Sequence, residues 1–243
     1  MKLTQVDLLR LDPAARTRLF DEMQVVATQR MPSSPRDYFD RGFASSDLRF
    51  SRAGLLRDAS GQLVGMQLIS ARDLQLEGQR LTVVRSGAAK ALHLEGTPKV
   101  FDAFAVRELV GIAVRSWARR RSPWLVATSN NPVTYLRMAR YFSRMVPPPA
   151  PGRPPDPTDD RVYRALAAEI GITLDHDFPF ACSSQPPIPL TEEERASWAA
   201  RPEPAIARLV AECPRFGIDQ VLVFGVPLSP RAVAGMVAGV LGR

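Results

Sequence analysis

With 243 residues, 45% of them apolar and 23% charged, the chain is long enough to bury a sizeable core and too apolar to be mainly disordered. A formal charge of +7 would suit a polyanionic partner, but the cations are almost all arginine, with lysine only at Lys2, Lys90 and Lys99. That is a bias a GC-rich coding sequence produces without selection for binding, so nucleic acid is not expected as a partner.

The opening stretch MKLTQVDLLRLDP is interrupted by Asp7, Arg10 and Asp12 before a signal-peptide core could form. Asp12-Pro13 reads as an N-cap followed by proline at the first helical position. The helix it opens would place Ala15, Leu19, Phe20, Met23 and Val26 on one face and stop before Pro32. A second, short helical piece is expected around Tyr38 to Phe43.

From Asp47 the apolar period changes to that of a sheet. Strands are expected at Arg49 to Arg57, Gln62 to Ala71 and Arg80 to Ala88, joined by turns at Asp58 to Gly61 and Leu76 to Gln79. Tight connections of this kind make an antiparallel meander. Residues 89 to 100 lead into a helix with Phe101, Ala105, Leu109, Ile112, Ala113 and Trp117 on one face, ended by Pro123. A short apolar strand, Trp124 to Thr128, then runs into the polar turn Ser129-Asn130-Asn131, and Pro132 opens an amphipathic helix rich in Tyr, Met and Phe.

The stretch VPPPAPGRPPDP, residues 146 to 157, can neither continue a helix nor sit inside a sheet, and it reads as an extended linker or long surface loop. Beyond it the sequence predicts a helix from Asp159 to Gly171, a strand within Ile172 to Phe180 and a capping box at Thr191 and Glu194. A helical piece from Ile206 to Cys213, a buried strand from Asp219 to Val226 and a packed terminal helix follow. The chain accordingly divides into a core at 1–146, a Pro-rich linker at 147–157 and a C-terminal segment at 158–243. No apolar run reaches the ~20 residues of a membrane span. Cys182 and Cys213 lack ligand spacing, which predicts a reduced, cytoplasmic setting.

Chemistry-bearing residues are sparse. Asp175-His176-Asp177 and Cys182 invite a Cys/His or metal reading, but the chain holds only two histidines, too few for a usual metal cage. Arg115 to Arg121 form a basic helix end whose single aromatic, Trp117, belongs to the apolar face, which favours a solvated face over a nucleic-acid footprint. Asn131 reads equally as a substrate-holding amide and as the polar cap of the helix at Pro132.

A meander, a helix, a strand and a helix opened by Asn-Pro, with the stretch SNNPVTYLRMARYF, together resemble the GCN5-related N-acetyltransferase (GNAT) family over residues ~45 to 146. The resemblance implies an α+β fold with a mixed, largely antiparallel sheet flanked by helices. The additional C-terminal α/β segment would complete that sheet or form the acceptor pocket. It implies an acyltransferase moving an acyl group from acetyl-CoA or a longer acyl thioester, with no metal, to a small-molecule or peptide amine. An acyl carrier protein is a candidate donor, and no oligomeric state follows.

By the same resemblance Val84, Ser86, Gly96, Thr97, Lys99 and Asn131 would hold the cofactor. Tyr135 or Tyr141 would protonate the leaving thiolate, and Glu95 or His93 would act as general base. Counted from Asn131, this chain has Met138 where the family has its tyrosine, and closely spaced glycines are missing from HLEGTPKV. The alternative from a different class is a non-catalytic binding or scaffold module on a degenerate acyltransferase fold.

Overall fold

In the computed structural model, residues 1–35, 37–91, 99–129, 132–142, 144–183 and 187–241 are described. The chain divides into two compact units, Met1–Pro123 and Trp124–Leu241. The Pro-rich segment lies inside the second.

The first unit begins with β1 (Lys2–Asp7), which pairs antiparallel with β2 (Phe50–Arg57) from Lys2 opposite Arg57 to Asp7 opposite Arg52. Nothing in the interrupted sequence KLTQVD predicts this strand, because its pairing is set by a partner some fifty residues away in the sequence. Between the two strands run α1 (Pro13–Thr28) and α2 (Tyr38–Phe43). Asp12 caps α1 as expected, its carboxylate accepting from the Ala15 N–H at 2.9 Å. Leu19, Phe20, Met23 and Val26 are buried on the predicted face.

The meander continues through β3 (Leu63–Leu76) and β4 (Gln79–Lys90), longer than their apolar alternation suggests. Both pairings are antiparallel. The turn between them puts Glu77 at φ 48° and Gly78 at φ 80°, the left-handed pair that matches the twist of a tight hairpin.

Helix α3 (Lys99–Ala118) packs on one face of this sheet. Gly54 and Gly65 let it approach closely: a Cβ at either position would stand 3.1 Å from the ring of Phe104 or Phe101. The buried stripe of α3 includes Phe104, Glu108 and Ser116, where apolar spacing favours Ala105 and Trp117. Glu108 tolerates burial because Arg107 and Arg52 both reach its carboxylate, the latter at 3.3 Å. Arg121 follows the helix and donates to the carbonyls of Leu74 and Leu81, both at 3.2 Å, tying the hairpin stem.

The second unit holds β5 (Ser122–Ser129), α4 (Pro132–Tyr141), α5 (Pro157–Glu169), β6 (Ala181–Cys182), α6 (Glu192–Ala199), α7 (Pro204–Glu212), β7 (Val221–Pro227) and α8 (Pro230–Leu241). β7 pairs antiparallel with β5 and with β6, and Val146 adds a bridge to Gly225. The start of the Pro-rich segment is therefore anchored, with Val146 1% exposed.

Ile172 to Phe180 does not form the expected strand. Gly171 turns the chain at φ 75°, and the Asp175 carboxylate accepts from Ser183 and Gln220, which holds the stretch as a folded loop ending in the two-residue β6. The capping box at Thr191 and Glu194 is present in full.

Antiparallel strands with helices make up both units, so the α+β class read from the sequence holds.

Candidate active site

On the first unit, β4 carries two of the residues expected to hold a thioester arm. Val84 is fully buried, and the Ser86 hydroxyl accepts from Gln67 Nε2 at 2.9 Å. The strand ends at Lys90, and the next residue, Ala91, donates its N–H to the Val64 carbonyl at 2.8 Å. His93, Glu95, Gly96 and Thr97 lie outside the described residues. Lys99 is exposed as the first residue of α3, and Asp102 sits in the first turn.

On the second unit, β5 ends at Ser129 and α4 starts at Pro132; Asn131 lies outside the described residues. Ser129 has a function that sequence reading missed. It is 4% exposed, and its hydroxyl accepts the Tyr135 N–H at 3.1 Å, tying the end of β5 to the first turn of α4. A serine in a strand-to-helix turn is a recognisable acceptor for nearby backbone amides, but the asparagines beside it are equally suited to that.

The two tyrosines of α4 have different fates. Tyr135 is 0% exposed, its ring centroid lies 5.9 Å from that of Phe224, and its hydroxyl donates to the Pro147 carbonyl at 3.2 Å. Burial pushes this phenol well above its usual value, with the Glu212 carboxylate adding to the rise against Arg208, so it stays protonated and gives up its proton reluctantly. Tyr141 lies at the other end of α4, its ring against Gly239 of α8; a Cβ there would come within 2.5 Å of the ring.

Asp175, His176 and Cys182 do not form a nucleophilic pair. The imidazole of His176 is fully exposed with Nδ1 3.0 Å from Asp177, whereas Cys182 is 0% exposed. The other thiol, Cys213, is pushed up to about 12 by burial and by the nearby Asp175 and Asp219 carboxylates, which makes it a poor nucleophile. Among the described residues no group of carboxylates, histidines and cysteines could hold a metal ion, and no helix is long and apolar enough to cross a membrane. Within the basic stretch, Arg115, Arg119 and Arg120 are exposed, as expected of a solvated helix end, with Arg115 5.4 Å over the Phe50 ring; Arg121 differs, being committed to the hairpin stem and Asp73.

No protein-family profile matches the chain, and no curated protein matches it. Solved structures similar to it include a conserved protein of Enterococcus faecalis V583 described as a probable N-acyltransferase, at 12% identity and a TM-score of 0.38; the match covers 57% of this chain and 32% of that one. Tetrahymena GCN5 matches at 11% identity and a TM-score of 0.36, over 56% of this chain and 76% of that chain. The GNAT family N-acetyltransferase YhbS of Escherichia coli, in complex with CoA, matches at 12% identity and a TM-score of 0.32, over 56% and 67%. The chain thus spans about a third of the Enterococcus protein. What the chain shares with the GNAT pattern is an order of elements: an antiparallel meander, then a helix, a strand and a helix.

Proposed function

We propose that the chain is an N-acyltransferase that moves an acyl group from acyl-CoA, or another acyl thioester, to an amine. The observation that supports this reading is the succession of α1, α2, the β2–β3–β4 meander, α3, β5 and α4, with an Asn-Pro step heading α4. In the first unit, the backbone of β4 at Val84 and Ser86 would hold the thioester arm. Gly96, Thr97 and Lys99 would meet the pyrophosphate beside the N-terminus of α3, where amides and dipole favour negative charge. Asn131 is the residue of the second unit proposed to contact a donor.

The transfer needs a neutral amine, a polarised thioester carbonyl and an acid for the departing sulfur. Glu95 or His93 is proposed to take the amine proton. Burial raises the Tyr135 phenol and makes it a reluctant proton donor, so Tyr141 is the proposed acid. CoA in the YhbS complex and acetyl-CoA in a bound complex of the AtaT toxin are the kind of donor this reading assigns to the chain. The acceptor is a small-molecule or peptide amine, and an acyl carrier protein is a second source of donor.

A non-catalytic binding module is the competing reading, favoured by the bonded Tyr135 and by the lack of closely spaced glycines in HLEGTPKV. Calorimetric titration with CoA, acetyl-CoA and longer acyl-CoAs separates the two. Saturable binding of one donor, followed by acyl transfer to an amine panel, is the expected result; heat from none of them removes the CoA-dependent enzyme.

A further inference from the structure

In the first unit the half-buried cation of Arg85 meets no carboxylate among the described residues. Arg85 of β4 points to the face that carries α2, where its guanidinium carbon lies 5.1 Å from the ring centroid of Tyr38 and 5.6 Å from that of Phe43. Neighbouring arginines are neutralised: Arg72 bonds Asp47 at 2.7 Å and Arg41 bonds Asp37 at 2.9 Å. Among the described residues no carboxylate and no hydrogen-bond acceptor meets the Arg85 guanidinium. The Tyr38 hydroxyl likewise has no hydrogen-bond partner among them.

The cradle is built around these two groups. A Cβ on Gly42 would stand 2.9 Å from the Arg85 guanidinium, and one on Gly87 would stand 3.1 Å from the Tyr38 hydroxyl. Gly87 is two residues from Arg85 on the same strand face, so the phenol lies beside the guanidinium. Ser51 and Ser70 fix α2 from below, donating to the carbonyls of Phe43 and Gly42 at 2.6 and 2.8 Å. Aromatic faces compensate part of the lost hydration of a cation but leave its N–H donors unused.

We propose that Arg85 and Tyr38 form a binding site for the carboxylate of a small molecule or peptide. The planar guanidinium presents two parallel N–H groups to one carboxylate, and the phenol adds a third donor. A single cation with one neutral hydroxyl matches a monoanion, whereas a phosphate dianion would call for the second positive charge that Asp37 and Asp47 have already taken up. The site is complete within the first unit and goes beyond the acyl-transfer reading.

The test is ligand-observed NMR and calorimetry on the full chain, without any thioester, using acetate, benzoate, the free L-amino acids and short peptides against their C-terminal amides and inorganic phosphate. At least one carboxylate binds saturably, and its amide binds roughly tenfold or more weakly, as expected for loss of a charge-assisted pair. Arg85→Gln abolishes that binding. Tyr38→Phe, which keeps the aromatic cage, weakens it several-fold with an unchanged melting temperature, and Gly87→Ala crowds the phenol and weakens it as well. Should Arg85→Gln fail to fold, these two variants decide. Binding by no carboxylate, equal binding of the amide, tighter binding of phosphate, or indifference to all the folded variants overturns the assignment. None of these readouts involves acyl transfer, so failure of that activity leaves them standing.

Discussion

The hydroxyl of Tyr135 donates to the carbonyl of Pro147 at 3.2 Å, fastening α4 to the first turn of the Pro-rich segment. Both groups are buried. Tyr135→Phe therefore leaves an acceptor without its donor, and a loss of about 1 kcal/mol is expected. A lowered urea midpoint with an unchanged slope is the measurement that shows it.

Tyr141 is the proposed acid for the leaving thiolate. Tyr141→Phe should then lower turnover about 10²-fold or more in a steady-state assay with the donor identified by titration, since a positioned acid contributes at least that much. Unchanged turnover in the folded variant would remove Tyr141 from the mechanism.

Gly239 sets how closely α8 can approach α4. Alanine favours helix there by about 1 kcal/mol, but its methyl would lie 2.5 and 2.6 Å from two atoms of the Tyr141 ring. The steric term wins: Gly239→Ala is expected to destabilise by about 1–3 kcal/mol, the usual cost of overpacking. Pairing it with Tyr141→Ala should recover part of the loss, read as a coupling in a double-mutant cycle.

Asp73 gives the first unit an acid-sensitive joint. Burial pushes its carboxyl up, but hydrogen bonds from Thr82 and Arg49 and the charge of Arg121 outweigh this and hold it below the usual range. A group lowered on folding contributes stability above its unfolded value near ~3.9, and that contribution is lost as pH falls through the lower folded value. Thermal unfolding followed from pH 7 down to about pH 2 should fall off below ~4, and Asp73→Asn should flatten that acid limb.

Arg144 and Asp159 form a bidentate pair at 2.5 and 2.6 Å, with Asp159 4% exposed and the arginine largely exposed. Removing the arginine strands a buried carboxylate, so Arg144→Ala is expected to cost about 1–3 kcal/mol. Arg144→Lys should recover less than half of it, because an ammonium cannot reproduce the fork. Chemical denaturation of the three proteins tests both statements.

Local chemistry made much of the fold legible. The Asp12 cap, the turn at Gly61 with φ 87°, the Glu77-Gly78 hairpin and the Thr191 capping box each depend on residues within a few positions of one another, so the sequence carries them in full. The helix at Tyr38–Phe43 and the buried strand at Val221–Pro227 were readable for the same reason. The candidate site was less so. Ser129 shares its turn with asparagines that cap helices equally well, and only the fold assigns the Tyr135 N–H to its hydroxyl. Arg85 sits in an alternating strand pattern like any other outward cation until Tyr38 and Phe43 close over it.

What the amino-acid sequence determined by itself was the order and type of most elements, because caps, turns and apolar periods act over one or two turns of chain. Tertiary structure decided whatever depends on distant partners. β1 exists because β2 offers it a register, and Glu108 is buried because Arg52 and Arg107 neutralise it there. The two α4 tyrosines differ because Pro147 comes to one and Gly239 to the other. Burial and pairing of polar groups are properties of the assembled unit, since a charge or hydroxyl is tolerated inside only where the fold supplies its partner.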